Sequence, residues 1–318
     1  AAAMGRIAIP EMLKQGYEKG LATGVVASAG TLGSLIPPSI LFVLYGIFAE
    51  VSIVKLLIAG ILPGLLTAAV YTVMIVTRCS INPEIAPRLT KDEVAQLKPE
   101  RWRALAEVWP ILLLVFAIIG GLFAGVMTPT EAGAAGAFLA FVIAFIQGRL
   151  TWLVFRESVL ESTSATARIF FVAIGAVIYS KFLTLSGMPN FMGEQLGALA
   201  LNPLLLVIAA SVIYLILGMF LDPLGLLLLT LPVLLPMFEA LQLDLVWIGV
   251  LIVKYMEIGL LTPPVGFNVY VIKSVVGDEI SLETIFRGVT WFLACEAVVV
   301  ALLIGFPQIS LYLPNAMQ

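Results

Sequence analysis

The sequence of 318 residues contains no histidine, only two cysteines and few charged residues. The absence of histidine excludes proton relays, metal sites and Ser-His-Asp catalysis that depend on an imidazole. Cys79 and Cys295 lie in or beside apolar segments, which favours two buried thiols over a disulfide or a metal-binding pair. Charged residues make up 12% of the chain, too few to cover the surface of a soluble domain.

Apolar residues are abundant. They account for 61% of the chain, and the mean hydropathy is +1.10. Runs such as 111–126 and 294–306, with their flanks, reach the roughly 20 residues that a helix needs to cross a bilayer. These runs lack the strict alternation of a transmembrane β-barrel. The sequence therefore predicts an all-α polytopic membrane protein.

The pattern of apolar and charged residues predicts whole spans, broken spans, surface helices and one hairpin. The predicted elements are a helix at 1–19, a broken span at 21–49, a span at 53–78, a charged amphipathic stretch at 80–108, spans at 109–127 and 130–147, an interfacial helix at 149–164, a span at 166–186, a re-entrant hairpin over 204–241 divided by "LDPLG", a broken span at 246–275 and a final span at 284–306. Basic residues concentrate on one side of this topology, which the positive-inside rule assigns to the cytoplasm.

The sequence also contains an internal repeat. Gly33 and Gly259 each stand four residues before a Pro-Pro pair, and Pro10 and Pro236 each lie 27 residues before that pair. The two copies have opposite orientation in the predicted topology, which makes them inverted repeats. The opening "AAAMGRIAIPEM" has the pattern of a helix interior, so we expect about 120 residues to precede it if the repeats are equal.

The Pro-Pro pairs predict helices that are broken within the membrane. Proline donates no amide hydrogen bond, and its ring clashes with the preceding turn, so carbonyl groups before it lose their partners. Irregular backbone at membrane depth persists only where protein, ions or water satisfy it. Freed carbonyl oxygens suit a hard cation such as Na⁺, and the half-helix after each break attracts anions.

Several motifs distributed over the whole chain carry a resemblance to a known family. They include "GTLGSLIPPSILFVLYG", "GVMTPTEAG", "LGMFLDPLGLLLLTLPVLLP" and "EIGLLTPPVGFNVYV". The sequence resembles the DctM-like large membrane subunits of tripartite ATP-independent periplasmic (TRAP) transporters. The resemblance implies an elevator-type, Na⁺-driven symporter of the bacterial inner membrane. It also implies a small TRAP membrane subunit and a periplasmic solute-binding protein as partners, and a small organic acid as substrate. Nothing in the sequence predicts binding to nucleic acid.

The resemblance and the chemistry together suggest ligands for Na⁺ and for the acid. The residues proposed for two cation sites are Gly30, Thr31, Gly33 and Pro37 in the first copy and Asp222, Gly259 and Thr262 in the second. Thr262 could alternatively cap the second half-helix, and Asp222 could serve only as a helix cap. The residues proposed for the substrate are Lys181, Ser39 and Asp222. Lys181 could instead extend to the membrane interface. Lys254 and Glu257, three apart on one helix, are predicted to form a structural ion pair.

The resemblance also predicts how the chain divides into moving and fixed parts. The predicted parts are 1–49 as the second hairpin arm and first broken span of a transport domain, 50–78 as a scaffold span, 79–108 as a cytoplasmic amphipathic connector, 109–165 as scaffold spans with an interfacial arm helix, 166–275 as the span, second hairpin and second broken span of the transport domain, and 276–318 as the final scaffold span and tail.

Other functions remain as alternatives. A stand-alone Na⁺/dicarboxylate or citrate symporter would have similar inverted hairpins, and dependence on a binding protein would distinguish it. A membrane enzyme is disfavoured by the lack of histidine, of clustered metal ligands and of a nucleophile with its base. A channel fits broken helices in inverted copies less well than alternating access does. The sequence therefore predicts a transporter rather than an enzyme.

Overall fold

Helices account for all the regular secondary structure that the structure describes. This computed structural model describes residues 1–87, 108–188, 191 and 202–316. Its α-helices are α1 (Ala2–Lys14), α2 (Lys19–Ala29), α3 (Ile40–Phe48), α4 (Ile53–Ala59), α5 (Ile61–Ile81), α6 (Trp109–Phe123), α7 (Pro129–Ile146), α8 (Trp152–Leu185), α9 (Pro203–Gly218), α10 (Pro223–Ala240), α11 (Leu245–Gly259), α12 (Phe267–Val276), α13 (Leu282–Gly305) and α14 (Gln308–Ala316). The predicted all-α class is confirmed for this part of the chain.

Five helical segments in the described residues are long and apolar enough to cross a bilayer. They are Ile53–Ile81, which joins α4 and α5, and the helices α7, α8, α10 and α13. The two shorter helices α6 and α9 are also apolar. Long helices of this composition pair most of their backbone polar groups within the segment, as a bilayer interior requires. The chain is therefore a multi-pass membrane protein.

Side-chain caps begin several of these helices, one of them at a position that the sequence predicts. Thr128 accepts a hydrogen bond from the Glu131 amide, and Glu131 accepts one in return from the Thr128 amide at 2.8 Å. This capping box confirms the predicted start of α7 at "TPTE". Asn202 caps α9 and Asp244 caps α11 in the same way, each accepting backbone amide hydrogen bonds through its side-chain oxygen.

The sequence interpretation is wrong about α8. We predicted an interfacial helix at 149–164 separate from a span at 166–186, but Trp152–Leu185 is one continuous helix. The stretch contains no proline and only one glycine, Gly175, so nothing in its backbone chemistry stops a helix where its polarity changes. The predicted amphipathic stretch at 80–108 lies mostly outside the described residues, which resume at 108.

The chain divides into two units. One comprises Arg88–Ala173, in which α6 packs on α7. The other comprises Ala1–Pro87 and Ile174–Gln318, and its interior includes a cluster formed by Ile9, Val26, Val269 and Ile285. These four side chains come from α1, α2, α12 and α13, so that cluster joins both ends of the sequence.

The predicted hairpin forms two helices in the second unit. Helix α9 ends at Gly218, and α10 begins at Pro223 after Asp222. The arms are joined by a buried contact of 2.7 Å between the hydroxyl groups of Tyr214 and Thr230. Thr230 also donates to the carbonyl oxygen of Leu226, so it accepts from Tyr214. A buried polar contact of this kind fixes the register of the two arms.

Candidate functional site

The first broken span is interrupted between α2 and α3. Helix α2 ends at Ala29, a single 3-10 turn covers Leu32–Ser34, and α3 begins only at Ile40. The peptide bond between Pro37 and Pro38 is cis. We call residues 30–39 the first break. The predicted interruption is confirmed.

The second broken span is interrupted between α11 and α12. Helix α11 ends at Gly259, and α12 begins at Phe267. Gly266, immediately before α12, has a φ angle of 57°, a left-handed conformation that glycine adopts without steric cost. The peptide bond between Pro263 and Pro264 is cis, as in the first break. We call residues 260–266 the second break, and this predicted interruption is also confirmed.

Hydrogen bonds bring the two breaks to one place in the molecule. Ser34 Oγ in the first break lies 3.0 Å from Glu257 Oε1, three residues before the second break. On the other side, Asn268 Nδ2 at the start of α12 donates to the carbonyl oxygen of Ala27 near the end of α2, at 3.3 Å. The two irregular segments, more than 200 residues apart in sequence, therefore form one candidate site.

The four predicted cation ligands of the first copy all lie in the first break. The hydroxyl of Thr31 donates to the carbonyl oxygen of Ser28 at 2.8 Å. Among the described residues, the carbonyl oxygens of Gly30 and Gly33 accept no backbone amide hydrogen bond. Pro37 is buried, and as a proline it has no amide hydrogen to donate. The break thus presents backbone carbonyl oxygens that accept no backbone amide from the described residues.

Ser28 is a candidate ligand that the sequence interpretation missed. Its side chain is fully buried, and its hydroxyl oxygen has no hydrogen-bond partner among the described residues. A buried hydroxyl without a partner is costly. It lies two residues before Gly30, on the last turn of α2. The signal available in the sequence is a serine two residues before the break, which is weak by itself.

The three predicted cation ligands of the second copy occupy different positions around the second break. Gly259 packs directly on Gly218 at the end of α9, since a Cβ atom added to Gly259 would lie 2.7 Å from the Gly218 carbonyl oxygen. Thr262 does not cap α12, because the N-cap is Gly266; the Thr262 hydroxyl donates back to the carbonyl oxygen of Ile258 at 2.6 Å. Asp222 caps α10 through the Gly225 amide at 2.8 Å, and it is exposed.

The predicted substrate ligands Ser39 and Lys181 differ in their surroundings. Ser39 is buried, caps α3, and donates to the carbonyl oxygen of Ser34. Lys181 is exposed on α8 and forms no hydrogen bond or salt bridge with any residue that the structure describes. Beside it on α8, Ser180 and Thr184 line a cleft of about 100 Å³ whose other walls include Phe48 and Pro236.

A buried charged cluster adjoins the two breaks. Lys254 Nζ lies 3.0 Å from Glu257 Oε2, which confirms the predicted ion pair, and 2.8 Å from Glu296 Oε2 on α13. The ammonium also donates to Thr67 on α5 at 3.0 Å, and Tyr71 on α5 donates to Glu296. The side chains of Lys254, Glu257 and Glu296 are each 0% exposed. We name these five residues the charged cluster.

The fold and this site define a class of protein. Broken helices that meet around buried polar groups are typical of membrane transporters, in which irregular backbone lines the binding site.

Comparison with known proteins indicates the same class of protein. The model of the family described as "Tripartite ATP-independent periplasmic transporter, DctM component" matches residues 1–309. The chain belongs to this family, whose members are transporter permease subunits and not enzymes.

Several named transporter subunits are similar in sequence to this chain over most of its length. The C4-dicarboxylate TRAP transporter large permease protein DctM of Pseudomonas aeruginosa is 35% identical over 99% of this chain and 72% of its own length. The sialic acid TRAP transporter large permease protein SiaM of Vibrio cholerae is 34% identical over 99% of this chain and 72% of its own length. The isethionate TRAP transporter permease protein DctMQ of Oleidesulfovibrio alaskensis is 31% identical over 88% of this chain and 43% of its own length.

Proposed function

We propose that this TRAP large permease subunit imports a small organic acid by Na⁺ symport across the bacterial inner membrane. A periplasmic binding protein would deliver the acid, and a small membrane subunit would complete the transporter. The observation that carries the proposal is the meeting of the two breaks at one site, because paired half-helices can hold cations and an anion together. Relatives named for C4-dicarboxylates and sialic acid support a carboxylate as substrate.

The packing of the helices supports an inverted repeat. Each copy contains a helix with an internal proline, a second helix, a break, a short helix and a long span: α1, α2, α3 and α4–α5 correspond to α10, α11, α12 and α13. Contacts between the copies occur in reciprocal pairs. Helix α2 packs on α12 as α11 packs on α3, and α2 packs on α13 as α11 packs on α4. Reciprocal contacts are what a two-fold relation between the copies produces.

We place one Na⁺ site at the first break. The Ser28 hydroxyl has a buried oxygen atom without a partner, and the carbonyl oxygens of Gly30 and Gly33 accept no backbone amide among the described residues. Oxygen atoms of this kind are the ligands that hard cations prefer. Thr31 and Pro37 would hold the backbone in place. The second Na⁺ site would use backbone oxygens near Gly259 and Thr262 together with Asp222 from the hairpin, which lies four residues after Gly218, the residue that packs on Gly259.

We place the substrate carboxylate near Lys181 and Ser39. Asp222 would contribute indirectly, by binding a Na⁺ ion that attracts the carboxylate. An ammonium group without an ion-pair partner among the described residues is suited to hold an anion. The cleft lined by Ser180 and Thr184 lies on the same helix as Lys181 and offers hydroxyl groups for the rest of the acid. The chemistry of this region therefore suits a small anion with additional hydroxyl or carbonyl groups.

We propose an elevator movement in which the hairpin and both broken spans move as one body. The predicted scaffold included 50–78 and 276–318. However, Lys254 on α11 is paired with Glu296 on α13 and bound to Thr67 on α5, and all three are buried. Sliding α11 past α5 and α13 would separate a buried ion pair at a cost of several kcal/mol. We therefore include α5 and α13 in the moving body, which differs from the predicted division, and keep 109–165 as scaffold.

Uptake into proteoliposomes tests the proposal. The subunit, reconstituted with its small partner and supplied with its binding protein, is expected to accumulate an organic acid only under an inward Na⁺ gradient. Ser28→Ala should raise the Na⁺ concentration needed for half-maximal uptake by about tenfold, because one cation ligand is worth about 1.4 kcal/mol. Ser274→Ala on the exposed face of α12 is the matched control. Accumulation without Na⁺ would show that uptake is not coupled to Na⁺. Uptake without the binding protein would favour a stand-alone symporter.

Lys181→Ala and Asp222→Asn are each expected to lower uptake at least tenfold while leaving the fold intact. Both residues are exposed, so their replacement removes no buried contact among the described residues, whereas loss of the charge removes a ligand for the acid or for Na⁺. Initial rates in proteoliposomes and elution from gel filtration measure the two properties. Lys14→Ala and Asp278→Asn, which alter exposed charges on α1 and after α12, serve as controls. Near-normal uptake by either variant would exclude that residue from the site.

A further inference from the structure

The cleft beside α8 has polar residues of one helix on one wall and prolines of another helix on a second wall. Its volume is about 100 Å³, more than the roughly 30 Å³ that a water molecule occupies in the liquid. Ser180 and Thr184 line it from α8, and Pro232 and Pro236 line it from α10. The members of each pair are four residues apart, so each pair lies on a single face of its helix. These two helix faces therefore border the same small space.

The Ser180 hydroxyl has a hydrogen available for a ligand. A serine within a helix can donate to the carbonyl oxygen four residues earlier, which for Ser180 is that of Ala176. Ser180 makes no side-chain hydrogen bond with any residue that the structure describes, whereas Thr184 donates to the carbonyl oxygen of Ser180 at 2.9 Å. The hydrogen of Thr184 is thereby used, so its oxygen can only accept. The α8 wall therefore offers one hydroxyl donor and one hydroxyl acceptor.

The α10 wall offers a backbone carbonyl oxygen that lacks its usual partner. In an α-helix each carbonyl oxygen points along the axis and accepts from the amide four residues later. For Pro232 that residue is Pro236, which also lies within α10 and has no amide hydrogen. Helical geometry places the Pro232 oxygen between these two prolines, and both of them line the cleft. The second wall therefore contributes an acceptor that no amide at the usual position occupies.

These polar groups fit a hydroxyl group better than a carboxylate or a ketone. The Thr184 oxygen and the Pro232 carbonyl only accept, whereas the Ser180 hydroxyl can donate. A ligand hydroxyl can donate to one of the two acceptors and accept from Ser180 at the same time. A carboxylate or ketone oxygen only accepts, so it would leave both acceptors without a hydrogen. The remaining walls include Phe48 and Leu235, which are apolar and suit the carbon atoms that carry the hydroxyl.

We propose that this cleft is the subsite for a hydroxyl group of the transported acid, with the Ser180 hydroxyl and the Pro232 carbonyl as the groups that determine specificity. The inference rests on the proposed function, which places the carboxylate of the acid near Lys181, the residue after Ser180. With its carboxylate there, the acid would extend its substituted carbon atoms into the cleft. The substrate class is therefore a hydroxy acid, sugar acids included, rather than an unsubstituted monocarboxylate or dicarboxylate.

Uptake of paired acids by the reconstituted transporter tests the subsite. The members of each pair differ by one hydroxyl group: malate and succinate, lactate and propionate, N-acetylneuraminate and its 9-deoxy form. The wild type is expected to take up the hydroxylated member faster at low concentration, and Ser180→Ala should lower this preference about fivefold, the contribution of one hydrogen bond. One binding protein serves every variant, so its own selectivity cancels between variants. Ser162→Ala, at an exposed position of α8, should keep the wild-type preference.

Pro236→Ala tests the carbonyl acceptor and removes no polar side chain. Alanine supplies an amide to the Pro232 carbonyl within the helix, so the preference should fall by a similar factor while α10 keeps its stability or gains some. Pro314→Ala, within a helix that does not line the cleft, is the matched control.

The possible failures are distinguishable. Na⁺-dependent uptake without a preference for the hydroxylated member, or a preference that either Ser180→Ala or Pro236→Ala leaves unchanged, would overturn the subsite and leave the proposed function standing. If no acid is taken up in a Na⁺-dependent manner, the proposed function fails, and this inference fails with it.

Discussion

Replacement of Lys254 by methionine is expected to destabilise the folded protein by about 3–5 kcal/mol, the usual cost of removing one partner of a buried ion pair. Methionine fills a similar volume but has no charge, so the buried carboxyl groups of Glu257 and Glu296 would lose their positively charged partner. Thr67 and Glu257 would lose a hydrogen-bond donor at the same time. The expected result is a large fall in the midpoint of thermal unfolding in detergent, with loss of purified protein.

A triple replacement separates charge from packing in this experiment. Lys254→Met combined with Glu257→Gln and Glu296→Gln removes every ionisable partner of the buried ion pairs, so most of the stability should return. Lys14→Met, at an exposed position on α1, should change stability by no more than about 0.5 kcal/mol. If Lys254→Met unfolds at the wild-type temperature, the ion pair contributes no stability and the charged cluster does not hold α11 to α13.

The interruptions of the two broken spans could be predicted because their cause is local. A Pro-Pro pair removes amide donors at a known position whatever surrounds it. The same reasoning located the hairpin turn at Asp222-Pro223 and the capped start of α7. The predicted division of Trp152–Leu185 into two helices is wrong because no local feature ends a helix there. A change from polar to apolar residues alters where a helix lies relative to the membrane, but it does not disfavour the helical backbone.

The full charged cluster could not be predicted from the sequence. Lys254 and Glu257 are neighbours on one helix, so their spacing alone indicated a pair. Glu296 is 42 residues from Lys254, and the Thr67 hydroxyl is 187 residues away. The available signal was that Glu296 is an isolated carboxylate in an apolar span and needs a partner. Which partner it finds depends on how α5, α11 and α13 pack, and no periodicity within one helix contains that information.

Replacement of Gly288 by leucine is expected to prevent α2 and α13 from packing, with a cost at or above the usual 1–3 kcal/mol of overpacking. A Cβ atom at Gly288 would lie 2.0 Å from the carbonyl oxygen of Gly20, and one at Gly24 would lie 2.7 Å from the backbone of Gly288. These atoms belong to backbone and cannot move aside by rotation of a side chain. Small residues that let two helices approach in this way are a common basis of packing in membranes.

The effect of Gly288→Leu should extend to the candidate site. Helix α2 leads into the first break, and α13 carries Glu296 two turns beyond Gly288, so separating these helices displaces both the first break, where we propose a Na⁺ site, and the partner of Lys254. We expect little folded protein by gel filtration and a lower unfolding temperature in what remains. Gly120→Ala on α6 is the matched control, because no atom lies within 4 Å of its added Cβ and alanine favours the helix by up to about 1 kcal/mol. Equal behaviour of the two variants would show that α2 and α13 do not approach each other through their glycines.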